Sequence, residues 1–422
     1  MAILFLLWSM VCAVLTFNVF RPLRLIKDGK FYFATFVFGW LIGDLVFHWI
    51  VFNLGIALLF YLAGALESDI GQIALMLSFS SWVILGFRAK MHYRMGPLIQ
   101  NQMNAALGAD YKSKILPEFR QKFIPFAFDW KAYWNPAVLS KNPQIEIISD
   151  IVFFEERGCR LLLDIYRPRN HSNACPVLLQ VHGGGWTIGT KNQGIPLMTR
   201  MASQGWICFA ISYRLSPQAI FPDHVIDCKR AVAWIKEHGI KYGADPDFII
   251  ITGGSSGAHL SALTALTPNQ ADLQPQFETV DTTIQGCVAF YGIYDFEAPF
   301  QIPRNKELAG LLKTVMRSTP ETEPKKFRQA SPVRRISRNP PPFMILQGDS
   351  DALVPMREAR NFYQALQKAN TPRLVFLHLP MVKHSFDTLP TIPTQQILPY
   401  VEQYLSLLRS DYAQKNFPAE KS

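Results

Sequence analysis

The chain predicts an α/β fold, a mostly parallel sheet with helices on both faces, preceded by an N-terminal transmembrane helical region. Three observations carry this. From residue 176 onward, short apolar strand-like runs alternate with helix-like stretches, the pattern of parallel strands joined by crossover helices. A hairpin-like strand pair stands just before them, and long uncharged apolar runs fill the first 90 residues.

Residues 2–20 carry no charge and reach the roughly 17 to 25 apolar residues that a bilayer-crossing helix needs. They lack a basic start and a small-x-small cleavage site, which reads as a retained anchor and not a removed signal peptide. Residues 31–65 are either one tilted helix or two short segments, and 71–87 form a shorter candidate, for about three spans within 1–90. The basic stretches 21–30 and 88–94 flank these spans and the acidic turn 67–69 lies opposite, so the positive-inside rule places the rest of this integral membrane protein in the cytoplasm. A split second segment would reverse that side. Asp44 and His48 are four residues apart in the apolar stretch and would share a helix face. A helix-packing or interfacial pair is favoured there over a proton relay or headgroup contact.

Residues 91–143 are polar and aromatic, with helical spacing over 98–107, and read as a connector able to cap a pocket. The α/β domain spans 144–410. It opens with strands at 145–154 and 160–166 around Glu155-Glu156-Arg157-Gly158, a hairpin signal. Buried-type strands follow at 176–181, 207–212, 248–252, 285–291, 343–347 and 373–379, with helix-like stretches at 225–237, 258–266, 357–368 and 395–408. The alternation lapses near 296–341, an insertion, and 411–422 form a tail.

The net charge of +10 is concentrated: residues 304–338 hold ten Lys and Arg against three Glu. Two readings stand for this stretch, attraction to an anionic leaflet and a solvated insertion. No nucleic-acid-binding motif accompanies it. Apart from Cys12 in the first apolar run, Cys159, Cys175, Cys208, Cys228 and Cys287 form an odd set without framework spacing, consistent with a reducing compartment. No CxxC or His/Cys cluster suggests a metal, and no cofactor is called for.

Two strings carry chemistry. Gly253-Gly254-Ser255-Ser256-Gly257 follows one strand-like run and opens a helix-like one, the strand-turn-helix setting of a G-x-S-x-G nucleophile elbow. Its glycines are expected to relieve clashes and to take positive φ angles. His182-Gly183-Gly184-Gly185-Trp186 follows another strand, where bare backbone N–H groups can meet a developing oxyanion.

Ser255 needs a general base, and the base needs a carboxylate. Around such elbows these partners come in the order Ser, acid, His. His384, in the loop after strand 373–379, is favoured over His378 within that strand. Asp351 is favoured over Asp349 because it precedes the Leu353-Val354-Pro355 run that opens the next helix, and Asp349 is assigned to tying down its loop. The expected oxyanion donors are the N–H groups of Gly183, Gly184 and Ser256, with His182 bracing that loop. Trp186 reads as pocket wall.

From residue 144 onward the chain resembles the hormone-sensitive-lipase-like α/β-hydrolases, the group of bacterial esterases and arylacetamide deacetylases. The resemblance rests on the His182–Trp186 and elbow strings and on Ser212-Tyr213-Arg214-Leu215-Ser216-Pro217, Phe221-Pro222, Asp227 through Trp234 and Gly243-Ala244-Asp245-Pro246. The Asp351 and His384 segments complete it. It departs at the elbow, where Gly254, Ser256 and Ala258 replace the usual Asp, Ala and second Gly, implying altered helix packing and acyl-pocket shape. The resemblance implies a serine carboxylester hydrolase: Ser255 attacks an ester carbonyl, His384 shuttles the proton and Asp351 orients His384. With the anchor, it implies a membrane-anchored enzyme acting on small-molecule or lipid esters of lipophilic character. Two alternatives stand beside it, an amide deacylase of the same fold and a membrane interaction or transport module with an attached hydrolase domain.

Overall fold

A computed structural model describes residues 1–21, 29–120, 127–156, 158–170, 172–301 and 306–417. Most of the basic stretch 21–30, Arg157 of the hairpin, Arg304 and the end of the tail lie outside the described residues.

The apolar N-terminal runs form α1 (Ala2–Phe20), α2 (Gly29–Asp44), α3 (Val46–Leu62) and α4 (Asp69–Tyr93), followed by α5 (Gly96–Leu107). Two helical stretches, α1 and the one beginning with α4, are long and apolar enough to cross a membrane. The second apolar run is broken: α2 and α3 meet at 93°, and only together do they reach span length. Three spans therefore require the bent pair to count as one.

Apolar clusters, among them Val19, Ile42, Val46 and Leu85, pack these helices together, and polar side chains add hydrogen bonds between them. Ser9 Oγ lies 2.8 Å from Ser78 Oγ, and Asn53 Oδ1 accepts from Trp8 Nε1 at 3.0 Å and Cys12 Sγ at 2.9 Å. Leu4, Leu7, Ile73, Met76, Phe79 and Phe87 face outward, exposed.

The bend also separates Asp44 from His48. Asp44 ends α2 and faces Arg88 of α4 at 3.7 Å, whereas His48 packs on Tyr133 and Trp134. The expected one-face pair does not form because the helix is not continuous between them.

The sheet has eight strands: β1 (Ile145–Glu156), β2 (Cys159–Pro168), β3 (Cys175–Val181), β4 (Ile207–Ile211), β5 (Ala244–Gly254), β6 (Gly286–Phe290), β7 (Phe343–Gly348) and β8 (Val375–Leu379). Their order is β1-β2-β4-β3-β5-β6-β7-β8. β1 and β2 form the antiparallel hairpin, β2 joins β4 antiparallel, and every later pairing is parallel.

Period-2 alternation sends successive side chains to opposite faces. Val177, Leu179 and Val181 therefore join one core with helices α7 (Asp223–His238), α8 (Ser256–Leu266) and α10 (Met356–Lys368), while Leu178 joins another with α6 (Ile195–Ser203) and α11 (Ile392–Asn416). Helix α9 (Lys306–Met316) belongs to the insertion. Lys326, Arg328 and Arg334 of that basic region pair with Glu323, Glu297 and Asp295, so they are not a free cationic patch.

Among the described residues, none of the connector lines the pocket. Ile99, Met103, Leu107 and Tyr111 pack into the core on the α11 side, and Gln102 hydrogen-bonds the backbone of His378 on edge strand β8 at 2.7 and 2.9 Å, covering an otherwise unpaired edge.

Candidate active site

In an open, mostly parallel sheet, ligands bind at the carboxyl ends of strands where strand order reverses. Here that crevice lies between β3 and its neighbours β4 and β5, with Val181 in register with Gly253. One chemical string leaves each of β3 and β5. At the end of β5 the chain turns so sharply into α8 that Ser255 itself takes φ 57° and ψ −120°. Its N–H donates to Phe290 O at 2.9 Å.

The flanking glycines serve close approach and not positive φ. A Cβ on Gly257 would stand 2.2 Å from Val181 O, and one on Gly253 2.5 Å from the same oxygen. A Cβ on Gly254 would stand 2.5 Å from the Tyr291 hydroxyl. Tyr291 thus fills the space of the acidic side chain usual in this elbow, and its hydroxyl donates to buried Asp387.

After β3, Gly184, Gly185 and Trp186 take φ 117°, 60° and 60°. Gly183 N–H donates to Gln193 Oε1 at 2.9 Å. Among the described residues, the N–H groups of Gly184, Gly185 and Ser256 have no protein acceptor, and Gly184 and Gly185 line the cavity. Of the expected donors, Gly183 is therefore engaged elsewhere, Gly184 and Ser256 are available, and Gly185 joins them.

His182 is buried and stacks on Tyr213 at 4.2 Å, with Nδ1 2.7 Å from Gly183 O. Burial lowers its pKa to about 4, so it stays neutral beneath the loop. Trp186 is fully buried and absent from the cavity wall. It packs edge-on to His259 and Phe296 and donates to His259 Nδ1 at 3.3 Å, which makes it core and not pocket wall.

Following β8, His384 Nδ1 lies 2.7 Å from Asp351 Oδ2. The Asp351 carboxylate also accepts from the N–H groups of Leu353 and Val354, each at 2.9 Å, and from Gln347 Nε2 at 3.0 Å. Four donors and full side-chain burial fix it in one orientation. His378 is half-exposed and stands 3.5 Å from Asp349, which itself accepts from Met381 N at 2.7 Å. Asp349 and His378 therefore sit apart from the Asp351–His384 pair.

Ser255 and His384 line one cavity of about 510 Å³. Among the described residues no hydrogen bond joins Ser255 Oγ to His384; such bonds are often long without substrate and tighten when it binds. The cavity wall is mainly apolar. Leu308 and Leu311 come from α9, Leu353 and Val354 from the Asp351 loop, and Phe36, Val37 and Trp40 from α2. Phe36 stands edge-on to His384 at 6.1 Å between ring centroids.

The α2 residues were not expected in the site. An apolar run suits lipid and an acyl pocket equally, so composition carries no signal that separates the two. Gln193 and Tyr291 were missed because their roles depend on packing between separate loops.

The BD-FAE family model matches residues 163–366. Over 411 residues the chain is 36% identical to the "Probable carboxylic ester hydrolase LipM" of Mycobacterium tuberculosis, covering 94% of this chain and 91% of that protein. The chain belongs to the LipM family of carboxylic ester hydrolases.

The alignment with LipM extends beyond the α/β domain. This LipM-family chain is also 41% identical over 254 residues to "Esterase LipQ" of the same organism, covering 60% of each. Among solved structures it resembles Thermogutta terrifontis esterase 2 phosphonylated by sarin, with a TM-score of 0.54, 25% identity and coverage of 66% of this chain and 98% of that one.

Proposed function

We propose that this chain is a membrane-anchored serine hydrolase that cleaves lipophilic carboxylic esters through an acyl-enzyme. One observation carries the reading: Ser255 on its strained elbow shares a largely apolar cavity with His384, whose Nδ1 is hydrogen-bonded to buried Asp351. Asp351 holds Nδ1 protonated, leaving Nε2 free to take the serine proton. Ser255 Oγ attacks the ester carbonyl as His384 accepts its proton, and the N–H groups of Gly184, Gly185 and Ser256 receive the oxyanion. His384 then protonates the departing alcohol. Water attacks the acyl-enzyme with His384 again as base, and the acid leaves with Ser255 restored.

The apolar lining supports a lipophilic acyl or alcohol group. The outward apolar residues of α1 and α4 support anchorage, because exposed apolar surface of this extent needs cover. The test uses detergent-solubilised full-length chain, p-nitrophenyl esters of increasing chain length and a fluorophosphonate probe. Wild-type enzyme hydrolyses the esters and is labelled. Ser255→Ala loses labelling, and its kcat falls on the order of 10⁴-fold or more. Full activity in Ser255→Ala, or no hydrolysis by folded wild-type protein, would overturn the reading.

A further inference from the structure

Asp44 and Arg88 are 1% exposed on their side chains, deep in the N-terminal helices, and a bare ion pair there would be costly. Arg88 is not bare. It donates to Gly43 O at the end of α2, and its Nη2 donates to Met381 O at 2.9 Å. His92, one turn further along α4, places Nε2 3.2 Å from the same oxygen. Lys383 Nζ reaches Asn18 O on α1 at 3.4 Å. Helices α1, α2 and α4 thus all converge on residues 381–383, immediately before His384.

That loop is not at rest by itself. Met381 and Ser385, on either side of His384, take φ 58° and 63°, a region that costs a non-glycine residue on the order of 1 kcal/mol. The α/β domain restrains the loop through Met381 N–H to Asp349 and through Val382 O, which accepts from Ser350 N–H. Among the described residues, Met381 O is held by Arg88 and His92 alone.

We infer that Arg88, supported by Asp44 and His92, is a positioning residue for His384: α4 sets the loop that aims the imidazole at Ser255. The inference rests on the esterase reading above. The Arg88 guanidinium ties together the helix ends and the loop carbonyl, so the N-terminal helices complete the active site as well as anchoring it.

The test pairs Asp44→Leu with Arg88→Met. Replacing a buried ion pair by apolar residues is often neutral for stability, so this double variant removes the donor to Met381 O without stranding a charge. Kinetics are expressed per site titrated by the fluorophosphonate, which counts folded enzyme only. The double variant should lose kcat and phosphonylation rate together, on the order of tenfold to a hundredfold, with KM within about threefold of the parent. Arg88→Lys, which keeps a donor and the charge, should recover part of the loss.

A kcat within about twofold of wild type in the double variant, or a loss confined to KM, overturns the inference. If the double variant does not fold, Asp44→Asn with Arg88→Gln takes its place: it exchanges the ion pair for amides and the donor to Met381 O for a shorter side chain. Unchanged kcat in it overturns the inference equally. Ser255→Ala serves as the control: activity surviving in it would sink the esterase reading, whereas Ser255-dependent activity indifferent to Arg88 would sink only the positioning role.

Discussion

Gly184 is where one atom decides the most. At φ 117° it occupies backbone space that side chains rarely enter, and a Cβ there would stand 2.0 Å from Ile188 O. Gly184→Ala must therefore displace the loop that carries the proposed oxyanion donors. Loss of one such donor lowers rates on the order of a hundredfold, so kcat should fall at least that far while KM moves little, as read on a short p-nitrophenyl ester. A kcat within about tenfold of wild type would show that the loop carries no essential donor. The glycine triplet was legible because bare backbone leaves a trace in composition. The division of labour within it was not, since Gly183 N–H is claimed by Gln193, a side chain outside the motif. His384 is favoured over His378 by its place after the strand, and Asp351 over Asp349 by the Leu353-Val354-Pro355 run that follows it; the structure joins this favoured pair by a hydrogen bond. Arg88 could not be found this way, because its contact is with Met381 O, a backbone atom 293 positions away, and backbone acceptors have no sequence signature.

Among the elements, the core strands were the easiest to read and α2 the hardest. Strands such as β4 and β6 are buried at every position, which gives uninterrupted apolar runs. Helix α2 is equally apolar, yet it leaves its neighbour α3 at 93° and presents Phe36, Val37 and Trp40 to the cavity. The bend also undid the expected Asp44–His48 face, since i,i+4 spacing means adjacency only along an unbroken helix. If α2 is the acyl wall, Trp40→Ala should lengthen the pocket. The ratio of kcat/KM for the longest to the shortest ester should then rise roughly tenfold, within the range that a few methylenes command in an apolar pocket. A chain-length series on wild type and variant checks this, and an unchanged ratio would remove α2 from the substrate's path.

For the whole molecule, the broken α2–α3 pair makes the number of spans a poor guide to which side the α/β domain occupies. The end of α4 is a better one, because the domain follows directly from it through α5. Glu67 and Asp69 are exposed at the start of α4, and Lys90 and Arg94 are exposed at its end. Arg88, although counted in the basic stretch, is withdrawn into the pair with Asp44 and contributes less to that flank. Aromatic rings gather near the same end, with Phe128 against Tyr93 and Trp130 against Phe47, as side chains do at a bilayer surface. If these helices span a bilayer, the positive-inside rule applied to this one junction predicts a cytoplasmic domain whether α2 and α3 cross together or only dip into it. In sealed vesicles of known orientation, protease should remove the α/β domain only where the cytoplasmic face is outward, and Lys90→Glu with Arg94→Glu should weaken that preference. Digestion from the opposite face alone would mean that the charges at the end of α4 do not set the topology.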